Sequence, residues 1–253
     1  MNRLLKKIFY GIVVMMWAVS ARAAEDLTVA VAANVQFAFE ELQAAFEHQT
    51  GYTVTTVLGS SGKLTAQIEN GAPYDVFLSA NTQYPLRLIA EGLASEPMTV
   101  YARGTLVIWS LTRRDFGMDG LLDNAVQKIA LPDPGVAPYG KAAVEALKKL
   151  NYYDRIAEKF VYGQNIGQVN QFVLSQSVDL GITARSVVMA PKMKGRGYWI
   201  EMNSDLYDPI AQGCVVLKEG RDHRFRQAQA FFEFMVSPAA QAILNRYGYM
   251  TDE

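Results

Sequence analysis

One cysteine, Cys214, is all the thiol chemistry in this 253-residue chain. An internal disulfide is thereby excluded. Cys214 lies in the apolar run 213–217 with no histidine near it in sequence, so it is expected to be a small buried hydrophobe in a strand rather than a reactive thiol. Histidine is almost as scarce. His48 and His223 stand alone; they make no metal site, and both are expected on helix surfaces. Neither sign of charge dominates, with 24 Lys and Arg against 25 Asp and Glu. That balance lacks the basic face a nucleic-acid partner would need. Beyond the N-terminal segment no apolar stretch approaches the ~20 residues that span a bilayer. Internal repeats, low-complexity tracts and Gly/Ser linkers are missing too, so composition marks no division into domains.

What is present begins with an export address. Arg3, Lys6 and Lys7 precede an apolar run over residues 8–20, followed by the small-x-small triplet Ala21-Arg22-Ala23. This is the pattern of a cleaved signal peptide over residues 1–23, and the run is too short for a membrane anchor. No cysteine follows the cleavage point to take a lipid. Cleavage after Ala23 leaves 230 residues, and loss of four basic residues with no acid takes the formal charge from −1 to −5. The expected location is periplasmic. A chain of this length buries a substantial core, as one large domain or two small ones.

The mature chain alternates between two periodicities. Residues 27–33 (LTVAVAA) form a short apolar run suited to a buried strand. Val35, Phe39, Leu42 and Phe46 then repeat at helical spacing until Gly51. Strand and helix patterns continue to alternate to the C-terminus, where two helices are expected over 225–236 and 238–247. Repeated strand–helix units predict an α/β fold of mostly parallel sheets flanked by helices.

Four segments end a strand, carry a small or hydrogen-bonding residue, and open a helix. They are Ala32-Ala33-Asn34-Val35, Gly59-Ser60-Ser61-Gly62, Ala137-Pro138-Tyr139-Gly140 and Gln164-Asn165-Ile166-Gly167. Ligands collect at the carboxyl ends of strands in open parallel sheets, and the first helical turn offers free N–H donors at the positive end of a dipole. Several such ends together would hold an anion without a charged side chain. Each alone is equally well explained as an ordinary helix cap. Enzyme motifs fail. Gly59-Ser60-Ser61-Gly62 lacks the G-x-S-x-G spacing because Lys63 stands where the second glycine is needed. Gly195-Arg196-Gly197 is followed by a strand pattern instead of a helix, and no phosphate-binding G-x-x-x-x-G-K-[ST] occurs. Asp75 and Asp133 flank predicted strands and are expected to be solvated or capping carboxylates.

Five runs, LTVAVAANVQFAFEEL, GSSGKLTAQIENGAPYDVFLSAN, LPDPGVAPYGKAAVEAL, DLGITA and SPAAQAILNRYGY, make the chain resemble the periplasmic molybdate-binding proteins of ABC importers. The resemblance spans about residues 27–249. It implies a type II periplasmic-binding-protein fold: two lobes, 24–103 plus 209–253 and 104–208, joined by two hinge crossings and closing over an oxyanion. Carried over by position, the ligand contacts fall at Asn34, Ser61, Tyr139 and Ile166, with Ala33 and Ser60 as neighbours. The ligand implied is molybdate, with tungstate alongside. No cofactor, no metal ligand and no catalytic residue is implied, and the partner is the membrane permease of the importer, met by a monomer. Two positions depart from the usual pattern: Asn34 where many members have serine, and Ala184 where many have tyrosine. Asn34 or Arg185 could supply the missing donor. The alternatives are a binding protein for another oxyanion, such as sulfate or chromate, and an exported enzyme using the same cleft.

Overall fold

A computed structural model describes residues 26–114 and 116–251; the expected signal peptide lies outside the described residues. Strand β1 (Leu27–Ala32) runs through one 3-10 turn (Ala33–Val35) into α1 (Gln36–Thr50). There follow β2 (Val54–Gly59), α2 (Ser61–Glu69), β3 (Val76–Leu78), α3 (Gln83–Ala90) and β4 (Thr99–Gly104). A second series comprises β5 (Leu106–Ser110), β6 (Ile129–Pro132), α4 (Pro138–Lys149), α5 (Tyr153–Ile156), β7 (Phe160–Gly163), α6 (Ile166–Leu174), β8 (Leu180–Ala184), α7 (Arg185–Met189) and β9 (Tyr198–Glu201). The chain closes with β10 (Ile210–Val216), α8 (Lys218–His223), α9 (Phe225–Phe234) and α10 (Pro238–Arg246).

Two five-stranded sheets result, in the orders β2-β1-β3-β10-β4 and β7-β6-β8-β5-β9. Each repeats one plan. Three strands pair in parallel, and one antiparallel strand, β10 or β5, separates them from the last. The α/β fold expected from the sequence is therefore present, as two lobes. The chain passes from the first sheet to the second between Gly104 and Leu106 and returns between Glu201 and Ile210.

The two-residue period of the strands decides which side chain enters which core. Leu27, Val29 and Val31 of β1, Val76 and Leu78 of β3, and Cys214 and Val216 of β10 face the main core. Ala30, Phe77 and Val215, one step out of phase, face a smaller core with Leu64, Ile68 and Leu88 of α2 and α3. Cys214 is fully buried, and burial pushes its thiol well above its ordinary pKa. Val35, just ahead of α1, and Phe39, Leu42 and Phe46 along it form one buried stripe. Phe46 meets Phe231 of α9 edge-on at 5.0 Å between ring centres, fixing α1 to the closing helices. Gly51 ends α1 in the left-handed conformation, φ 72°, which only glycine adopts without strain.

Three boundaries differ from those the sequence pattern suggests, which are helix starts at about Gly140 and at Gln168 and a strand start at Gly213. Helix α4 begins at Pro138, whose missing N–H costs nothing at a first helical position. Helix α6 begins at Ile166, two residues early, because the Asn165 side chain accepts from the Gln168 N–H and starts the helix there. Strand β10 begins at Ile210, not Gly213, and takes Gln212 into the sheet beside a register shift. Asp133 is exposed and accepts the Gly135 N–H at 2.9 Å, as a turn cap. Asp75 corrects the same expectation. It is fully buried, accepting the Thr28 N–H at 2.7 Å and pairing with Arg224 at 3.1 Å. Burial pushes its carboxyl above the usual range, against the opposing pull of Thr28 and Arg224.

The Asp75–Arg224 pair ties β3 to the segment between α8 and α9. Removing one member of a buried pair leaves a charge without compensation, at a cost of about 3 kcal/mol. Arg224→Met should lower stability by that order in urea denaturation at neutral pH. Because the carboxyl is held above its unfolded value, the stability lost as pH rises is regained on acidification. The deficit should therefore shrink as Asp75 is protonated. A variant as stable as the wild type at pH 7 would show that the pair carries no net weight.

Candidate functional site

Between the two sheets lies a cavity lined by Ala32, Ala33, Asn34, Gly59, Ser60, Ser61, Ala80, Ala137, Pro138, Tyr139, Asn165 and Ile166, of about 210 Å³ counted to its mouth. Much of that volume is open to solvent, and the centre of a water-sized sphere can occupy only about 10 Å³ of it, which suits a solute of a few atoms, not a sugar or a peptide. Four strand ends reach it: Asn34 follows β1, Ser61 follows β2, Tyr139 follows β6 and Ile166 follows β7. The cavity thus sits at the carboxyl ends of parallel strands from both lobes.

Helix geometry determines what these ends offer. The first N–H groups of an α-helix have no partner within it. In α2, Gly62 donates to Val136 O and Leu64 to Ser60 O, which leaves Ser61 and Lys63, and of these Ser61 lines the cavity. In α4, Pro138 has no N–H, and Gly140 and Lys141 both donate to Ala137 O, which leaves Tyr139. In α6, Gln168 and Val169 are taken by the Oδ1 and backbone O of Asn165, which leaves Ile166 and Gly167, and of these Ile166 lines the cavity. Three helix dipoles thus present positive ends and unclaimed donors to one cavity. No charged side chain among the described residues lines it.

Side chains add to this. Ser61 is buried, and its Oγ accepts the Ala80 N–H at 2.9 Å. That bond orients the hydroxyl and leaves its proton to give away. Ser60 Oγ is buried with no partner within the protein, so its hydrogen-bonding capacity is left for water or a bound solute. The Tyr139 phenol turns away from the cavity and accepts from Gln212 Nε2 at 3.1 Å. Burial holds its pKa well above the ordinary phenol range, so it stays neutral. Asn34 is the exception to the expected pattern. Its Nδ2 donates to Gln212 Oε1 at 2.8 Å and to Tyr249 Oη at 3.0 Å, while its Oδ1 has no partner. Its side-chain donors are therefore already engaged.

The lobes are in contact around the cavity. Gly62 N of α2 donates to Val136 O of the other lobe at 2.9 Å, and Lys63 Nζ to Gln164 Oε1 at 2.7 Å. Ser186 Oγ donates to Asn34 O at 2.8 Å, and Lys192 pairs with Glu40. At the crossing, a Cβ on Gly104 would fall 1.9 Å from Tyr139 Oη, so only glycine lets that phenol reach Gln212.

All six residues singled out from the sequence, Asn34, Ser61, Tyr139, Ile166, Ala33 and Ser60, line this one cavity. Ala184 and Arg185 do not line it; Ala184 is buried in the sheet beside Leu106 of β5, and Arg185 lies 3.5 Å from Glu201. Arg185 is therefore not placed as the substitute donor. Sequence reasoning missed Ala80, whose N–H orients Ser61, and the layer beneath formed by Gln212, Tyr101, Tyr249 and Ser186. A lone glutamine in the apolar run of β10 was the available signal.

A cleft between two similarly wound lobes, lined by neutral donors and closed by bonds across its rim, defines a two-lobed solute-binding protein. The chain belongs to the family described as bacterial extracellular solute-binding protein, whose pattern it matches over residues 27–250. It is 38% identical over 237 residues to the molybdate-binding protein ModA of Azotobacter vinelandii, covering 92% of each chain. It is 37% identical over 232 residues to the molybdate-binding protein ModA of Rhodobacter capsulatus, covering 91% of this chain and 90% of that one. Among solved structures, it is similar to the Azotobacter vinelandii periplasmic molybdate-binding protein, with a TM-score of 0.85 and 33% identity over 90% of this chain and 100% of that one.

Proposed function

We propose that this protein captures molybdate, and tungstate with it, and delivers the anion to the permease of an ABC importer. Export through a signal peptide cleaved after Ala23, periplasmic location and action as a monomer belong to the same reading. The observation that carries it is the convergence of the Ser61, Tyr139 and Ile166 N–H groups and the two serine hydroxyls on a small cavity without charged side chains. The similarity to two molybdate-binding proteins supports the choice of anion.

Molybdate at neutral pH is a tetrahedral dianion that accepts hydrogen bonds and donates none, so a cavity of donors suits it. Hydrogen phosphate would set its own proton against a donor, at a cost of about 1–3 kcal/mol for the buried mismatch. Sulfate has the same charge and acceptors but is smaller, so selection against it falls to cavity size. Tungstate is nearly the size of molybdate and should bind alike. Closure is a population shift: the anion bridges donors from both lobes and so favours the closed form. No residue is assigned a catalytic step.

Calorimetric titration of residues 24–253 with molybdate, then sulfate, tests the reading. Tight one-to-one binding of molybdate without sulfate heat is expected, and absence of molybdate binding by folded protein would overturn it. Ser61→Ala should weaken molybdate binding about tenfold or more, since hydrogen bonds to charged groups contribute about 1.5–3 kcal/mol; unchanged affinity would make Ser61 a cap only. Closure is tested separately by Gly62→Ala. A Cβ there would lie 2.9 Å from Val136 O and 2.7 Å from Tyr84 Oη. Since Val136 belongs to the opposite lobe, the clash with it arises only on closing, and overpacking costs about 1–3 kcal/mol. Affinity should fall roughly tenfold, while the unliganded thermal midpoint registers only the contact with Tyr84 Oη, the far end of a side chain in the same lobe that can turn aside. Equal affinity would show that the Gly62–Val136 bond does not limit closure.

A further inference from the structure

Beneath the cavity, Gln212 joins both lobes through one amide. Its Oε1 accepts from Asn34 Nδ2 at 2.8 Å and from Tyr101 Oη at 2.9 Å. Its Nε2 donates to Tyr139 Oη of the second lobe at 3.1 Å. All four side chains are buried. Asn34 lines the cavity, but its Nδ2 is directed to Gln212 and Tyr249, neither of which does. Its unpartnered Oδ1 is thus the end of the amide left for the cavity. A bare acceptor beside a cavity otherwise furnished with donors is a mismatch for an oxyanion.

We propose that Asn34 and Gln212 form a coupled amide switch, with Gln212 as the positioning residue that sets whether Asn34 presents an acceptor or a donor to the bound anion. The inference rests on the oxyanion-binding reading above. An amide can exchange its oxygen and nitrogen by a half-turn with little change of shape. If Asn34 alone turned, its Oδ1 would face Gln212 Oε1, two acceptors in a buried site. If Gln212 turns with it, Gln212 Nε2 donates to Asn34 Oδ1 and to Tyr101 Oη. Gln212 Oε1 then accepts from Tyr139 Oη, which changes from acceptor to donor. Tyr249 Oη, now donating to Asn34 O at 2.9 Å, can donate to Asn34 Oδ1 instead, because Ser186 Oγ already serves Asn34 O at 2.8 Å. Asn34 Nδ2 is released to the anion. The orphan acceptor disappears, and the cost moves to one proton, that of Tyr101. The reversal also runs through Tyr139, whose backbone N–H faces the cavity from the second lobe. Anion capture by the first lobe and the placing of the second are thereby linked.

A double-mutant cycle in molybdate affinity, with nuclear magnetic resonance of the side-chain amides, tests the switch. Gln212→Glu leaves only carboxylate oxygens facing Asn34 and so holds Asn34 Nδ2 away from the anion. Asn34→Ser substitutes a hydroxyl that rotates freely and needs no partner to become a donor. Gln212→Glu should cost about tenfold more in affinity with Asn34 present than in the Asn34→Ser background, where only its added charge acts. A role of Gln212 in packing alone would cost the same in both backgrounds and would overturn the proposal. In the wild type, molybdate should shift the side-chain amide signals of Asn34 and Gln212 together. A Gln212 amide unmoved at saturation would also overturn it. Should the wild type take up no molybdate, the reading of function fails; should it bind tightly while the Gln212 signal stays fixed, only the switch fails.

Discussion

A doubly charged anion taken out of water with no positive side chain beside it can be held only by oriented dipoles. Removing such a charge from water costs many kilocalories per mole, and the return comes from short, charge-assisted hydrogen bonds to groups already aimed at it. Helix starts supply these groups at no conformational cost, because their N–H groups are unpaired in any case. The rest of the architecture follows from bringing several helix starts to one point. Two sheets of the same winding, facing across a cleft, place the ends of β1, β2, β6 and β7 around a single small cavity. Neutral donors suit a carrier as well as a trap, since a buried cation would bind a dianion harder and release it more slowly.

The second requirement is that the lobes register with each other. Small residues sit where backbone must meet backbone across the cleft, as Gly62 does at Val136 O. Gly104 leaves room for the Tyr139 hydroxyl, which reaches Gln212 on the returning crossing strand. Burial keeps Tyr139 well above the ordinary phenol range and Tyr249 up to about 12. No negative charge therefore develops beneath the cavity near neutral pH.

The strands, the long helices and the four strand-end segments were legible from sequence because each signal is local: β-branched runs, helical spacing, and Gly, Ser, Asn or Pro at helix starts. Asn34, Ser61, Tyr139 and Ile166 were legible for the same reason, together with the family resemblance of the runs that contain them. What the sequence could not convey are pairings over long separations. Asp75 reads as a solvated acid until Arg224, 149 residues away, is placed beside it. Gln212, next to Gly213, interrupts the apolar pattern of β10 and reads as the loop before a strand. Its partners Asn34 and Tyr101 lie 178 and 111 residues away. Nor does local pattern reveal that Asn34's amide faces inward, which depends on Tyr249 at the far end of the chain.

The central claim is that neutral donors from four strand ends, and not a charged side chain, hold the anion. A crystal structure of the molybdate complex, with data collected at the molybdenum absorption edge, tests it directly. The account expects one anomalous peak inside the cavity, with anion oxygens about 2.7–3.2 Å from the backbone nitrogens of Ser61, Tyr139 and Ile166. A peak at the rim against Lys63, or at any other cationic side chain, would contradict it.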